Sequence, residues 1–324
     1  MSRRPISQDL VSVASVNFSP VHGDAKATVD KMSTNISEAA EQGADLVIFP
    51  ELALLGCGSC PDCAALEAPC EKHLQLAETV PGPSTEAIAA MAREHDLYVV
   101  FGLPERDAAD PGKLYNAAAV VGPEGVLGSY RKVHLGELPW VTEGAVYTPG
   151  TKLPLFPTRF GPIGVQICYD FWFNPELTRL LALKGARLIA VPVGSFAAPG
   201  RPDTMRATAL ARAQENLVHV AVSNSVGGPG TRAAGYSGSA LTESLRPDDY
   251  VGHSMIAGPA FPRFGVLMAE AGSLEEIVVT TINLRQQARF EKVFDYRRWR
   301  AGRLASASRL IADEFQALAD AAEG

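Results

Sequence analysis

GPIGVQICYDFWFNPELTRLLALKGARLIAVPV, residues 161–193, carries the information that decides the fold. Val165 and Ile167 alternate as strand residues do, and Gly161 and Gly164 allow another backbone to come close. Asn174 stands at an N-cap position, Pro175 at the first helical position and Glu176 in the first turn, so the spacing predicts a helix from there. That helix stops at Gly185, and the apolar run Leu188–Val193 reads as a buried strand. Cys168 therefore falls at a strand end, on the turn into a helix, where α/β proteins expose nucleophiles.

The same phrase occurs about 140 residues earlier. ISEAAEQGADLVIFPE (36–51) is again helix, Gly-Ala and buried strand. AAMAREHDLYVVFGLP (89–104) is echoed by ALARAQENLVHVAVSN (209–224). Two similar helix-then-strand units imply an α/β fold of two pseudo-symmetric halves. YNAAAVVGPEGVLGSYRKVHL (115–135) reads as two strands about a turn at Pro123–Gly125, and GHSMIAGPAFPRFGVLMAEAG (252–272) as two strands about a turn at Gly258–Gly265. No linker or low-complexity run divides the chain, so 1–324 reads as one domain with 285–324 as a C-terminal arm. Leu304, Leu310, Ile311, Phe315 and Leu318 fall near one helical face of that arm, and packing onto its own domain is the expectation, with a partner subunit as the less common reading.

Bulk properties narrow the function. Of 324 residues, 47% are hydrophobic and 20% charged, which is an ordinary globular composition. A net charge of −7 argues against a general nucleic-acid or anionic-membrane surface. No apolar run approaches the roughly 20 residues a transmembrane helix needs. MSRRPISQDL lacks the apolar centre of a secretory signal, and five cysteines are an odd number, so the cytoplasm is the expected compartment.

Two charged residues share the unusual placement of Cys168. Glu51 closes the apolar run LVIFPE, and Lys132 ends a strand in SYRKVHL. A thiol is mostly protonated at neutral pH, so attack on a carbonyl needs a base, a fixed cation and backbone donors for the oxyanion. Glu, Lys and Cys supply such a set. His134 and His219 offer a cysteine–histidine alternative, but His219 sits in the apolar run LVHVAV and reads as a satisfied core residue.

GADLVIFPE, SYRKVHL and GVQICYD…PELTRLLALKGA, in that order, resemble the nitrilase superfamily of carbon–nitrogen hydrolases. The resemblance implies a four-layer αββα sandwich, association into homodimers or larger homo-oligomers, and no cofactor. It implies a catalytic triad of Glu51, Lys132 and Cys168, with Glu143 of TEGAVYTPG as the family's additional glutamate and the Tyr169 N–H in the oxyanion site. Cys168-Tyr169-Asp170 is similar to the amidase-like branches, whereas nitrilases carry Trp-Glu after the nucleophile. The implied substrate is a small-molecule amide, with nitrile or N-carbamoyl hydrolysis as the alternatives. N-carbamoyl branches often place Arg shortly after the nucleophile. Here Trp172 stands where many relatives have a charged or polar residue, and Trp172 and Phe173 suggest an apolar pocket wall, with core packing as the alternative.

PELALLGCGSCPDCAALEAPC (50–70) adds Cys57, Cys60, Cys63 and Cys70 directly after Glu51. The spacing departs from the bacterial ferredoxin run, whose third gap is three residues. Reduced thiols flanking the pocket are the expectation; a tetrahedral zinc site and a disulfide stay open, as does a non-catalytic metal-binding role.

Overall fold

The computed structural model describes residues 9–56, 61–138, 141–227, 250–294 and 296–322. Helix and strand alternate from the start: β1 (Leu10–Asn17), α1 (Ala25–Glu41), β2 (Leu46–Ile48), α2 (Pro61–Leu66), α3 (Glu71–Leu76), α4 (Pro83–His95), β3 (Tyr98–Arg106), β4 (Leu114–Gly122) and β5 (Gly125–Arg131). A short pair, β6 (Glu137–Leu138) and β7 (Val141–Thr142), and a single 3-10 turn at Glu143–Ala145 follow. The second run is β8 (Ile163–Val165), α5 (Tyr169–Trp172), α6 (Pro175–Lys184), β9 (Leu188–Val193), α7 (Arg201–Asn216), β10 (His219–Asn224), β11 (Val226–Gly227), β12 (Tyr250–Val251), β13 (Met255–Ala260), β14 (Arg263–Glu270) and β15 (Glu276–Asn283). Helices α8 (Arg285–Phe294) and α9 (Tyr296–Ala322) close the chain.

The strands form two open sheets, ordered β15-β1-β2-β3-β4-β5 and β14-β13-β10-β9-β8. In each, three parallel strands joined through helices are followed by two antiparallel ones, β1-β2-β3-β4-β5 against β8-β9-β10-β13-β14. Register extends the equivalence to single residues. Leu46 pairs Tyr98 as Leu188 pairs His219. A Cβ on Gly122 would stand 2.5 Å from the Tyr98 ring, and one on Gly258 would stand 2.2 Å from the His219 ring. Each half thus seats an aromatic ring over a glycine of the next strand.

Strand alternation sorts side chains between layers. Val13, Leu46, Ile48, Val100 and Val120 turn inward and share one core with Ile189, Val191, Val220 and Val222 of the second sheet. Val47, Val99 and Phe101 turn outward onto Met32 and Ile36 of α1 and Ile88 and Ala92 of α4. Met32, Ile36 and Ile88 are fully buried, worth roughly 1.5–3 kcal/mol each. Leu181 of α6 and Met205 and Ala209 of α7 line the second sheet in the same manner. The result is the αββα sandwich that the family resemblance implies, with the two similar halves expected from the repeat.

Three local expectations are corrected. The β13–β14 reversal falls at Phe261-Pro262, and Gly258 lies within β13 because the His219 ring needs the space. Asn174 occupies the N-cap of α6, but its amide donates to the Tyr169 carbonyl instead of capping. On α9, Leu310, Ile311, Phe315 and Leu318 are exposed rather than packed on their own domain. The Leu304 side chain lies outside the described residues.

Candidate active site

Three strand ends deliver the candidate residues. Beyond β2, Phe49 N–H still bonds the Val100 carbonyl, and Gly102 N–H bonds that of Pro50. The chain then turns at Glu51–Leu52, with Leu52 in the left-handed region at φ 47°. A Cβ on Gly102 would stand 2.2 Å from the Leu52 nitrogen, so only glycine in β3 lets the backbone carrying Glu51 turn there. Lys132 follows β5, its N–H donating to the Asn116 carbonyl at 2.8 Å. Its own carbonyl accepts from Gly150 N–H at 2.7 Å, the glycine of the TPG turn. Cys168 N–H bonds the Pro192 carbonyl at 3.1 Å, prolonging the β8–β9 pairing. Its backbone then adopts φ 44°, ψ −100°, which for a residue with a Cβ costs about 1–3 kcal/mol. That strained elbow opens directly into α5.

The ends converge on a buried net. Lys132 Nζ donates to Glu51 Oε1 at 2.6 Å and to Glu143 at 2.9 and 2.8 Å. The Asn116 amide donates to Glu51 Oε1 at 2.8 Å and to Glu143 Oε1 at 3.0 Å. Glu51 Oε2 accepts from Gly194 N–H at 2.9 Å, and Glu143 Oε2 from Gly136 N–H. Glu51, Lys132 and Cys168 are 3%, 1% and 7% exposed, so these charges interact with little screening by water. Burial works against the Lys132 charge, but Glu143 and then Glu51 outweigh it and hold the ammonium well above its ordinary pKa. Burial raises Glu143, against the pull of Lys132. Burial, joined by the Glu51 charge, pushes the Cys168 thiol well up despite Lys132, leaving it protonated at neutral pH. The lysine fills the place a cation would take between the two carboxylates.

A second buried carboxylate fixes the frame. Asp170 accepts from Tyr130 Oη at 2.7 Å, from the backbone N–H of His134 at 2.8 Å and from His134 Nδ1 at 3.0 Å. It ties the strand end carrying Lys132 to the helix that follows Cys168. That hydrogen bond, against partial burial, raises the His134 pKa. His134 thus serves Asp170. His219 pairs with Leu188, at the opposite end of β9 from Pro192, and stands away from the net. It is a core residue as expected; its ring bonds the Arg187 backbone, while its Nε2 is buried without a partner among the described residues.

The two proposed wall residues part company. Trp172 is buried in the main core, with the Arg201 guanidinium 5.8 Å from its ring. Phe173 is exposed and packs edge-to-face on Tyr169 at 4.9 Å. Tyr169 in turn lies 5.7 Å from Lys132 Nζ, measured to the ring centroid. Arg212 donates to the carbonyls of Phe171 and Trp172, both at 3.2 Å, and so caps α5. Cys63 and Cys70 come together with His73, while Cys57 and Cys60 lie outside the described residues.

Residues 12–291 match the model of the carbon-nitrogen hydrolase family. The chain belongs to that family. This hydrolase is 34% identical over 277 residues to a nitrilase of Pyrococcus abyssi, covering 85% of this chain and 90% of the relative. It is 33% identical over 272 residues to the human omega-amidase NIT2, covering 80% and 84%. Among solved structures it superposes on a carbon-nitrogen hydrolase from Helicobacter pylori G27 with a TM-score of 0.72 and 21% identity, covering 89% and 94% of the two chains. Nit3 of Saccharomyces cerevisiae, a nitrilase-superfamily member, gives 0.69 at 25% identity, covering 88% and 94%. These likenesses support an amidase-like hydrolase on a nitrilase-superfamily sandwich. Asn116 and Gly194 of this hydrolase do not stand out in the sequence as site residues, and Asp170 reads there as a branch marker and not as the brace it forms. Asn116, the one polar residue opening the apolar run NAAAVV, was the readable signal among them.

Proposed function

We propose that this hydrolase cleaves the carbon–nitrogen bond of a small-molecule amide through a thioester on Cys168. The observation that carries the reading is a single ammonium, Lys132, held by two buried carboxylates beside a protonated thiol. A thiol with a raised pKa does not attack as a standing thiolate, so its proton must leave as the bond forms. Glu51 takes the Sγ proton while sulfur adds to the carbonyl carbon. Lys132 Nζ and the Tyr169 N–H receive the oxyanion. The tetrahedral species collapses, the C–N bond breaks, and Glu51 returns the proton to the departing nitrogen, releasing ammonia or an amine. Water then gives a proton to Glu51 as it attacks the thioester. Collapse releases the carboxylic acid and restores the Cys168 thiol. Glu143 holds Lys132 and keeps its charge in place.

Resemblance to an omega-amidase and the Tyr169-Asp170 pair favour amides. The Pyrococcus abyssi nitrilase keeps nitriles as the second reading. A panel of short aliphatic amides, aromatic amides, ureido acids and nitriles, read by ammonia release, tests the choice. Turnover of amides above nitriles is expected, and a strong preference for nitriles would reject it. The exposed apolar residues Leu310, Ile311, Phe315 and Leu318 on α9 support a homo-oligomer, which light scattering would measure as a mass above one chain. No described helix is long and apolar enough to cross a membrane. The mechanism requires a reduced Cys168, which suits the cytoplasm.

A further inference from the structure

Two cysteines and a histidine meet beside the active site, on the segment that leaves Glu51. Cys63 sits in α2, and the chain reverses at Glu67, which is left-handed at φ 49°. The reversal brings Cys70 back as the N-cap of α3, and its backbone N–H donates to Cys63 Sγ at 3.2 Å. His73 follows three residues later at helical spacing, on the same side as Cys70. Its Nδ1 lies 3.3 Å from Cys63 Sγ and 3.3 Å from Cys70 Sγ. All three donor atoms fall within 4.8 Å of one another, and both sulfurs are buried.

One imidazole nitrogen carries either one proton or one lone pair, so it cannot make two full hydrogen bonds to two sulfurs at once. A metal ion meets the same geometry with all three donors satisfied. Zn–S near 2.3 Å and Zn–N near 2.0–2.1 Å place sulfur and nitrogen about 3.6 Å apart across a tetrahedral centre, a small relaxation of the distances observed. Thiolate and imidazole together select zinc over calcium, magnesium or manganese. The Cys70 N–H aimed at Cys63 Sγ is the kind of outer hydrogen bond that supports a ligating thiolate.

We propose that Cys63, Cys70 and His73 form a zinc site, whose fourth tetrahedral position is closed by a further ligand. Binding releases the two thiol protons and leaves zinc bound to two thiolates and a neutral imidazole. The all-cysteine set considered from the sequence is thereby changed, because α3 brings a histidine to the cluster. Zinc at this site is structural. It clamps α2 to α3, and Leu74 of α3 packs against Leu52, Ala77, Leu114 and Tyr147. Leu52 follows Glu51, and Tyr147 N–H bonds the Glu143 carbonyl at 2.7 Å, so the clamp braces the backbone on both sides of the carboxylate pair.

Metal content is read without turnover and stands apart from the hydrolytic reading. The full chain, purified without chelator, is loaded with zinc, passed through gel filtration in metal-free buffer and assayed by mass spectrometry of the metal. One zinc per chain is expected, lost in Cys63→Ser and in His73→Gln. Cobalt substitution should give a thiolate-to-metal charge-transfer band and tetrahedral ligand-field bands, and the charge-transfer band should weaken in Cys63→Ser. His73 is partly exposed, so His73→Gln gives a reading even where Cys63→Ser fails to fold. Zinc at background after loading would overturn the proposal. So would a zinc content unchanged in both variants, or a Cys63–Cys70 disulfide found in place of the metal.

Discussion

The two halves of the sandwich share strand order and register yet differ at the strand end that carries Glu51. Aligned on GADLVIFPE and GARLIAVPV, Glu51 corresponds to Val193, which is fully buried in the core. Gly102 corresponds by register to Ser223, whose hydroxyl donates to the Val16 carbonyl at 2.6 Å. One half spends its second strand end on a carboxylate and clears space for it with a glycine. The other spends the same end on apolar packing, and the next residue, Gly194, gives its N–H to Glu51. A duplicated frame thus places the candidate residue Glu51 through a few substitutions that break its symmetry.

Removing the charge balance should have the largest effect. Lys132→Met strands two buried carboxylates, so a loss of about 3–5 kcal/mol in stability is expected by urea denaturation, with turnover lost as well. Glu51→Gln keeps the shape but removes the proton acceptor, and kcat/KM for amide hydrolysis should fall about 10²–10⁴-fold while the fold is kept. Gly102→Ala tests the asymmetry itself. The added methyl displaces the Glu51 turn, and a shift of about 1 Å should cost on the order of 10²-fold in kcat. Its counterpart Ser223→Ala should leave kcat unchanged and cost about 1 kcal/mol of stability. Equal kinetic effects in the two variants would break the comparison.

A smaller contrast concerns the paired rings. Tyr98 Oη donates to Glu124 at 3.0 Å and accepts from Arg159 N–H at 2.9 Å, whereas His219 Nε2 is buried without a partner among the described residues. Burial lowers the His219 pKa to about 4, below its ordinary value near 6.5. Between those values the unfolded chain binds the proton and the folded chain does not, so stability falls as pH falls through that window. The histidine should cost about 2 kcal/mol at pH 5 relative to pH 7. In His219→Leu this part of the acid sensitivity should vanish, as read from urea midpoints at the two pH values.

The two similar α/β halves were legible because helix, Gly-Ala and buried strand recur, and the layering into a sandwich came from the resemblance to the nitrilase superfamily. The candidates Glu51, Lys132 and Cys168 could be picked out in the sequence because each interrupts or ends an apolar strand. Asn116 and the bracing role of Asp170 could not, since their partners are 65 and 36 residues away in sequence and only the assembled sheets bring them together. His73 was missed for a related reason: the cysteine pattern drew the metal reading, while the histidine joins only after the turn at Glu67. For the α9 face the sequence puts packing on its own domain first and cover by a partner second, because an amphipathic pattern shows that a face is apolar and not what covers it.

The central claim is that Cys168 is the nucleophile. Ammonia release from the best amide of the panel, compared between wild type and Cys168→Ala at matched folding by circular dichroism, tests it most directly. The account predicts turnover in the wild type and none above the uncatalysed background in the variant. Hydrolysis retained in folded Cys168→Ala would contradict it.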